Sequence, residues 1–252
     1  MKLSTSFPLL LAAATVQASP ALPNPLALAT SFTRIYHELD KINLANCTLA
    51  NLSMPLNSTT KPLLPAPSTN LTLKYVALGR GTQNYTCPPH SLNSSNTTIE
   101  PVATGAVATL FDASCIAASS LALLHEVPAI ISKTPLESLA FMAALVVKGT
   151  RSNAIILGEH HFSAAGDPVF DLSLSGADSW IATSKLAAAP APNTTLGSVG
   201  DVPWLKLGYK KGSGIQEVYR VVTSQGDPPS TCVGQNATIQ VEYAAEYWFY
   251  GR

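Results

Sequence analysis

The clearest pattern in the chain lies at its C-terminal end. Ile239, Val241, Tyr243, Ala245, Tyr247 and Phe249 alternate there with Gln240, Glu242, Ala244, Glu246 and Trp248. A period of two places the first set on one face of a β-strand and the second on the other. The same alternation starts near residue 70, with Leu71, Leu73, Tyr75 and Ala77 set against Thr72, Lys74 and Val76. Gly79-Arg80-Gly81 is expected to turn the chain before a second strand over 82–87. Small and β-branched residues predict further strands over 102–111, 154–162, 168–172, 203–207 and 216–224. Gly200-Asp201, Gly212-Ser213-Gly214 and Gln225-Gly226-Asp227-Pro228 separate them as turns. Short strands with turn signals between them predict a mainly β fold, an antiparallel sandwich or barrel. No fixed-period repeat interrupts that reading.

Two stretches have helical character. Between about 116 and 148, residues 117–125 and 135–147 are rich in Ala and Leu, with Pro128 between them. Thr134 stands where an N-cap would be, Pro135 at the first helical position, and Glu137 three residues after the cap. This predicts a helical hairpin inserted between strands. Residues 19–69 are rich in Pro, Ser, Thr, Asn and Leu. Within them Phe32, Ile35, Leu39 and Ile42 fall near helical spacing behind Ser31, so one amphipathic helix is expected over 32–44. Pro55, Pro62, Pro65 and Pro67 break regular structure beyond it. The reading is an N-terminal arm over 19–69 and a β-rich domain over 70–252.

The first 18 residues change the picture from a domain to a compartment. Lys2, the apolar residues 7–16 and the small residues of Val16-Gln17-Ala18 predict an export signal over 1–18, cleaved after Ala18. Its apolar run is too short to span a bilayer, which takes roughly 20 residues. The run over 136–147 is also too short, and the chain ends without the apolar tail a lipid-anchor signal needs. No membrane insertion is expected, and roughly 230 residues remain for one large or two small domains.

Cys47, Cys87, Cys115 and Cys232 form an even set without C-x-x-C spacing, so two disulfides are expected rather than a zinc ribbon. Four cysteines allow three connectivities. Cys87–Cys232 with Cys47–Cys115 would staple the body once and the arm once, and is the pairing we expect. Asn-x-Ser/Thr sequons begin at Asn46, Asn51, Asn57, Asn70, Asn84, Asn93, Asn96, Asn193 and Asn236, which predicts a glycosylated surface in an extracellular or cell-wall space. Fifteen basic residues balance fifteen acidic ones, so no basic stripe exists for nucleic acid. Only 12% of residues are charged, and glycans would supply the solubility that charge does not.

Several segments resemble one family. They are Tyr75-Val76-Ala77-Leu78-Gly79-Arg80-Gly81-Thr82-Gln83-Asn84-Tyr85-Thr86-Cys87 and Gly105-Ala106-Val107-Ala108-Thr109-Leu110-Phe111-Asp112-Ala113-Ser114-Cys115. Three shorter ones begin at Pro203-Trp204, Glu217-Val218 and Glu242-Tyr243. Together, over about 70–252, they resemble a secreted family of filamentous fungi catalogued as domain of unknown function 3455. Its members often carry the label malate dehydrogenase in genome lists. The resemblance implies a domain and a compartment, not an activity. The dehydrogenase label fails on chemistry. A nicotinamide site needs G-x-G-x-x-G between a strand and a helix. Gly79-Arg80-Gly81 and Gly212-Ser213-Gly214 lack the third glycine and are followed by strand-like sequence.

Candidate chemistry is sparse. Glu159-His160-His161 with Asp171 offers polar groups, but neighbouring strand residues face opposite ways, so His160 and His161 should not share a metal. No metal and no cofactor are expected. Glu217, Glu242 and Glu246 are candidate carboxylates for glycoside hydrolysis. Glu242 and Glu246, four strand residues apart, would stand about 13 Å from one another, beyond either hydrolytic geometry. No G-x-S-x-G is present. The candidate polar site is therefore His160, His161, Asp171, Glu217 and Arg220. Trp204, Trp248 and Tyr250 are candidate aromatics for stacking on sugar rings if one face of the last strand is exposed. The leading expectation is a non-enzymatic cell-wall or polysaccharide-binding module. A secreted hydrolase and a metal-dependent redox protein are the alternatives.

Overall fold

The computed structural model describes residues 25–41, 47–56, 61–89, 99–139, 155–192 and 200–252. The expected export signal, and the expected hairpin beyond residue 139, lie outside the described residues. Eight strands form a closed antiparallel barrel: β1 (Thr72–Thr86), β2 (Val102–Asp112), β3 (Ile156–Phe162), β4 (Pro168–Asp171), β5 (Trp180–Ala189), β6 (Trp204–Ser213), β7 (Glu217–Gln225) and β8 (Thr238–Gly251). Each strand pairs with the next in sequence, and β8 pairs with β1 from Thr72↔Gly251 to Thr86↔Thr238. Closure resolves the sandwich-or-barrel alternative and gives every strand a hydrogen-bonded neighbour on each side.

The barrel interior is packed. Ala77, Ala106 and Ala108 stand among Leu110, Phe170, Ile181, Leu207, Val218, Tyr247 and Phe249, a mixture of small and large side chains that fills a narrow lumen. A second core lies outside the barrel. Helix α2 (Ser114–Ser119) and helix α3 (Leu121–Ile131) cover outward residues of β1, β7 and β8, with Leu124 against Val76, Val221, Ala244 and Trp248 in one buried cluster. Met54 and Leu64 of the arm join that cluster. From Tyr243 onward both faces of β8 are therefore buried, whereas Thr238, Gln240 and Glu242 before it lie exposed.

The strand expected to turn at Gly79-Arg80-Gly81 instead runs through as β1. A Cβ at Gly79 would run into the Tyr247 ring, and one at Gly81 into the Val107 carbonyl. These glycines are needed for close approach inside a tightly curved barrel, not for a turn. Arg80 between them faces outward, yet is 0% exposed. Its guanidinium donates to the carbonyls of Ile131 (2.8 Å) and Thr134 (3.0 Å) at the end of α3, to Gly81 (2.8 Å), and to Glu242. The side chain thus caps a helix C-terminus whose carbonyls would otherwise be buried and unpaired.

The helices also depart from expectation. The break expected at Pro128 falls at Ser120, whose extended backbone ends α2 and whose hydroxyl accepts from Leu123 N–H (3.2 Å), starting α3. Pro128 lies inside α3. The Thr134 hydroxyl donates back to Ile130 O (3.2 Å). Helix α1 (Pro25–Leu39) begins at a proline, seven residues before the expected start, and Ser31 lies within it. β5 has no counterpart in the sequence reading. Among the described residues no helix is long and apolar enough to cross a membrane.

The disulfides are Cys47–Cys115 and Cys87–Cys232, the expected pairing. The first ties the arm to α2. The second ties the chain just after β1 to the chain before β8.

Candidate functional site

Most of the candidate polar residues are engaged in holding the structure together. The carboxylate of Glu217, facing outward from β7, accepts from Ser68 Oγ (2.7 Å) and Ser68 N–H (3.2 Å), and lies 3.2 Å from Lys206 Nζ. Lys206 donates to Ala66 O (2.9 Å), and Tyr219 Oη donates to Pro65 O (2.9 Å). The three side chains clasp residues 65–68 of the arm onto the barrel wall. Burial pushes the Glu217 carboxyl up, but the bonds from Ser68 and Lys206 more than offset it, and the net shift is downward.

Glu246 is fully buried under α3, 2.7 Å from His125 Nδ1, and accepts from Trp248 Nε1 (3.0 Å). Burial pushes its carboxyl up, against the pull of His125 and Trp248. Glu242 is held by Arg80. Bonds from the Ser173 hydroxyl and then from its N–H (2.9 Å) hold the Asp171 carboxyl below its ordinary pKa. No two of these carboxylates converge on a common space. Trp204, Trp248 and Tyr250 are all buried, at 5%, 0% and 7% exposure. The aromatic face of the last strand therefore packs under α3 and the arm and presents no flat surface to a polysaccharide.

His160 and His161 part company as the strand period requires. His161 faces outward, its Nδ1 3.5 Å from Glu159. His160 points into the barrel, stacked on Phe170 at 4.2 Å between ring centroids. Among the described residues no three His, Cys, Asp or Glu side chains gather in a metal-holding group.

Of the predicted polar residues, only His160 and Arg220 come together. They line a cavity of about 40 Å³ at one end of the barrel, with Gln83, Phe170, Leu205 and Tyr247 among its walls. Half-buried Phe162, Pro168 and Leu205 form its rim. Arg220 is 8% exposed. Its Nη2 (2.9 Å) and Nε (3.3 Å) donate to Pro203 O, and its Nη1 donates to Gln83 Oε1 (3.4 Å). Because arginine only donates, this fixes the Gln83 amide with Nε2 turned away. Gln83 Nε2 is buried with no acceptor at full hydrogen-bond distance, and the Gln83 side chain acts only as a weak donor toward the Tyr243 hydroxyl behind the cavity.

His160 Nδ1 lies 2.8 Å from Val169 O. A carbonyl only accepts, so Nδ1 carries the proton and Nε2 is the ring's acceptor. Burial lowers the His160 pKa to about 4, so the ring is neutral at ordinary pH. Tyr247 and Tyr243 share a hydroxyl–hydroxyl bond of 2.8 Å behind the cavity, and burial raises the pKa of both. At the far side Tyr85 Oη donates to Gly226 O (2.7 Å). A shallower groove of about 640 Å³ runs between the arm and β1, past Cys47, Thr48, Lys74 and Tyr250. Its described lining contains no buried charged side chain.

Gln83 and Tyr247 are absent from the sequence reading as site residues. Strand alternation assigns them a face. It does not say that the face is a lumen, nor which lumen residues lie at its open end.

Residues 67–251 match the family described as "Protein of unknown function (DUF3455)", and the chain belongs to that family. No curated protein and no solved structure matches the chain.

Proposed function

We propose that this is an exported binding protein of the extracellular or cell-wall space that holds a small ligand in the end of its barrel and hydrolyses nothing. One observation carries the reading. The barrel end keeps a cavity whose wall has a buried guanidinium, a buried amide nitrogen with no acceptor at full hydrogen-bond distance and a neutral imidazole acceptor. Buried polar groups are ordinarily paired within the protein, and small up-and-down barrels use their open ends to hold single small ligands. Two closed disulfides, and sequon asparagines Asn51, Asn70 and Asn236 lying exposed, support export and glycosylation. A polysaccharide partner would have to engage through this end, since Trp204, Trp248 and Tyr250 are covered.

The test is a thermal-shift screen of the glycosylated protein against small polar metabolites and soluble oligosaccharides, beside Leu205→Trp, which fills the rim. A ligand at about 100 times its Kd should raise Tm by roughly 5–10 °C, and Leu205→Trp should abolish the shift. A shift unchanged in Leu205→Trp would move the site elsewhere. Sugar released from insoluble chitin, β-glucan, cellulose or xylan would overturn the non-hydrolytic reading.

A further inference from the structure

We infer that the barrel end takes a small monoanionic carboxylate, free or as the acidic head of a larger molecule, with its charge against the Arg220 guanidinium. This rests on the barrel-end reading above and adds the ligand's chemistry to it. The first reason is charge. All fifteen acidic residues of the sequence lie among the described residues, and Arg220 belongs to none of the ion pairs. Its acceptors are a backbone carbonyl and an amide oxygen, both uncharged. A buried cation without a counter-ion is costly, and the usual remedy is an anion at hydrogen-bond distance. The acidic side chain electrostatically coupled to Arg220 is Asp227, which stands too far away to form an ion pair with it.

The second reason is the pattern of donors. Pro203 O takes two of the five guanidinium N–H groups, Gln83 Oε1 takes a third and the Tyr247 hydroxyl engages a fourth, which leaves one for the cavity that Arg220 lines. Gln83 Nε2, with no acceptor at full hydrogen-bond distance, adds a donor from the neighbouring wall. Two donors from different walls suit the two oxygens of a planar carboxylate. His160 Nε2, an acceptor, would take a hydrogen from the ligand rather than add positive charge. The cavity therefore supplies one positive charge, enough for a monoanion and too little for a phosphate dianion. Its volume of about 40 Å³ admits an anionic group of a few heavy atoms, and any remainder would leave past Phe162, Pro168 and Leu205.

The experiment is an NMR titration of the folded, disulfide-bonded protein at neutral pH with acetate, acetamide and inorganic phosphate, following the Gln83 side-chain amide and the Arg220 Nε–H. Acetate should shift both saturably. Acetamide and phosphate should each bind at least tenfold more weakly. Arg220→Met, similar in length and free of a buried charge, should lose at least tenfold in acetate affinity while keeping its near-UV circular dichroism. Gln83→Leu should weaken acetate as well, and it decides the matter if Arg220→Met fails to fold. Equal binding of acetate and acetamide, or undiminished acetate binding in the variants, would overturn the carboxylate assignment and leave the barrel-end reading standing. Tighter binding of phosphate would replace the monoanion by a dianion and overturn it too. No response to acetate, joined to no Leu205-dependent response in the metabolite screen, would remove both.

Discussion

Replacing Cys87 and Cys232 together by serine lowers the unfolding free energy by about 5 kcal/mol in the chain-entropy treatment of a cross-link. The bond joins residues 145 apart in sequence, so reduction releases a long loop in the unfolded chain. The native surroundings tighten the same joint: Cys87 N–H donates to Ala237 O (2.9 Å) and Cys232 N–H to Ile99 O (2.8 Å). The bond therefore belongs to the barrel, and its loss should be felt in the global transition. The Cys47–Cys115 bond spans 68 residues and would be worth only about 0.7 kcal/mol less by the same arithmetic. Its structural setting is different, because it holds the arm to α2. The matching double serine variant should release the arm ahead of the barrel and show two transitions. Urea unfolding followed by tryptophan fluorescence and by far-UV circular dichroism checks both. A loss below about 1 kcal/mol for the barrel bond would contradict this account.

Glu217→Ala comes next, with an expected loss of about 3–5 kcal/mol, because it leaves the ammonium of Lys206 buried without its partner. Lys206 is only 7% exposed and lies 3.2 Å from the carboxylate. Ser68 N–H and Oγ lose their acceptor in the same step. Residues 61–70 should become sensitive to proteolysis while the barrel remains folded. The pH dependence has a definite sign. The Glu217 carboxyl sits below its ordinary value of 4.5 in the folded protein. Its contribution is therefore present above pH 4.5 and is lost as pH falls through the lower folded value. Proteolytic release of the arm should rise below pH 4.5 in the wild type and be pH-independent over that range in Glu217→Gln. If Glu217 were instead a hydrolytic group, the variants would leave the arm in place and remove an activity.

How much of this was legible in the sequence varies with the kind of constraint. The strand pattern, alternation at β8 and the start of β1 and small and β-branched residues elsewhere, located β2, β3, β4, β6 and β7 as well. It failed at β5, where Ile181 and Thr183 point inward between half-exposed neighbours and a run of alanines follows. Composition alone makes that run look like loop or helix. The glycines flanking Arg80 carry a turn signature and serve a different purpose, close packing against Tyr247 and Val107. That demand comes from the neighbouring strands, so it cannot be seen in β1 itself. The barrel has the same effect on the aromatics. Trp248 and Tyr250 alternate correctly off the lumen, but whether their face is wet depends on α3 and the arm.

The site divides along the same line. His160 and Arg220 were visible as reactive side chains, yet 60 residues of chain separate them. Only closure of the sheet puts β3 and β7 on opposite walls of one lumen. Glu217 looked equally reactive, and strand parity alone turns it outward while Val218 and Arg220 turn in. Gln83 matters because its oxygen is held by Arg220, a contact made across the barrel.

The most direct measurement is a high-resolution crystal structure of the exported protein grown in acetate. The account predicts a carboxylate in the barrel end, one oxygen on the Arg220 guanidinium and the other on Gln83 Nε2, with His160 still bonded to Val169 O. Water alone in that cavity, or a barrel end closed by Arg220 turning onto Asp227, would contradict it.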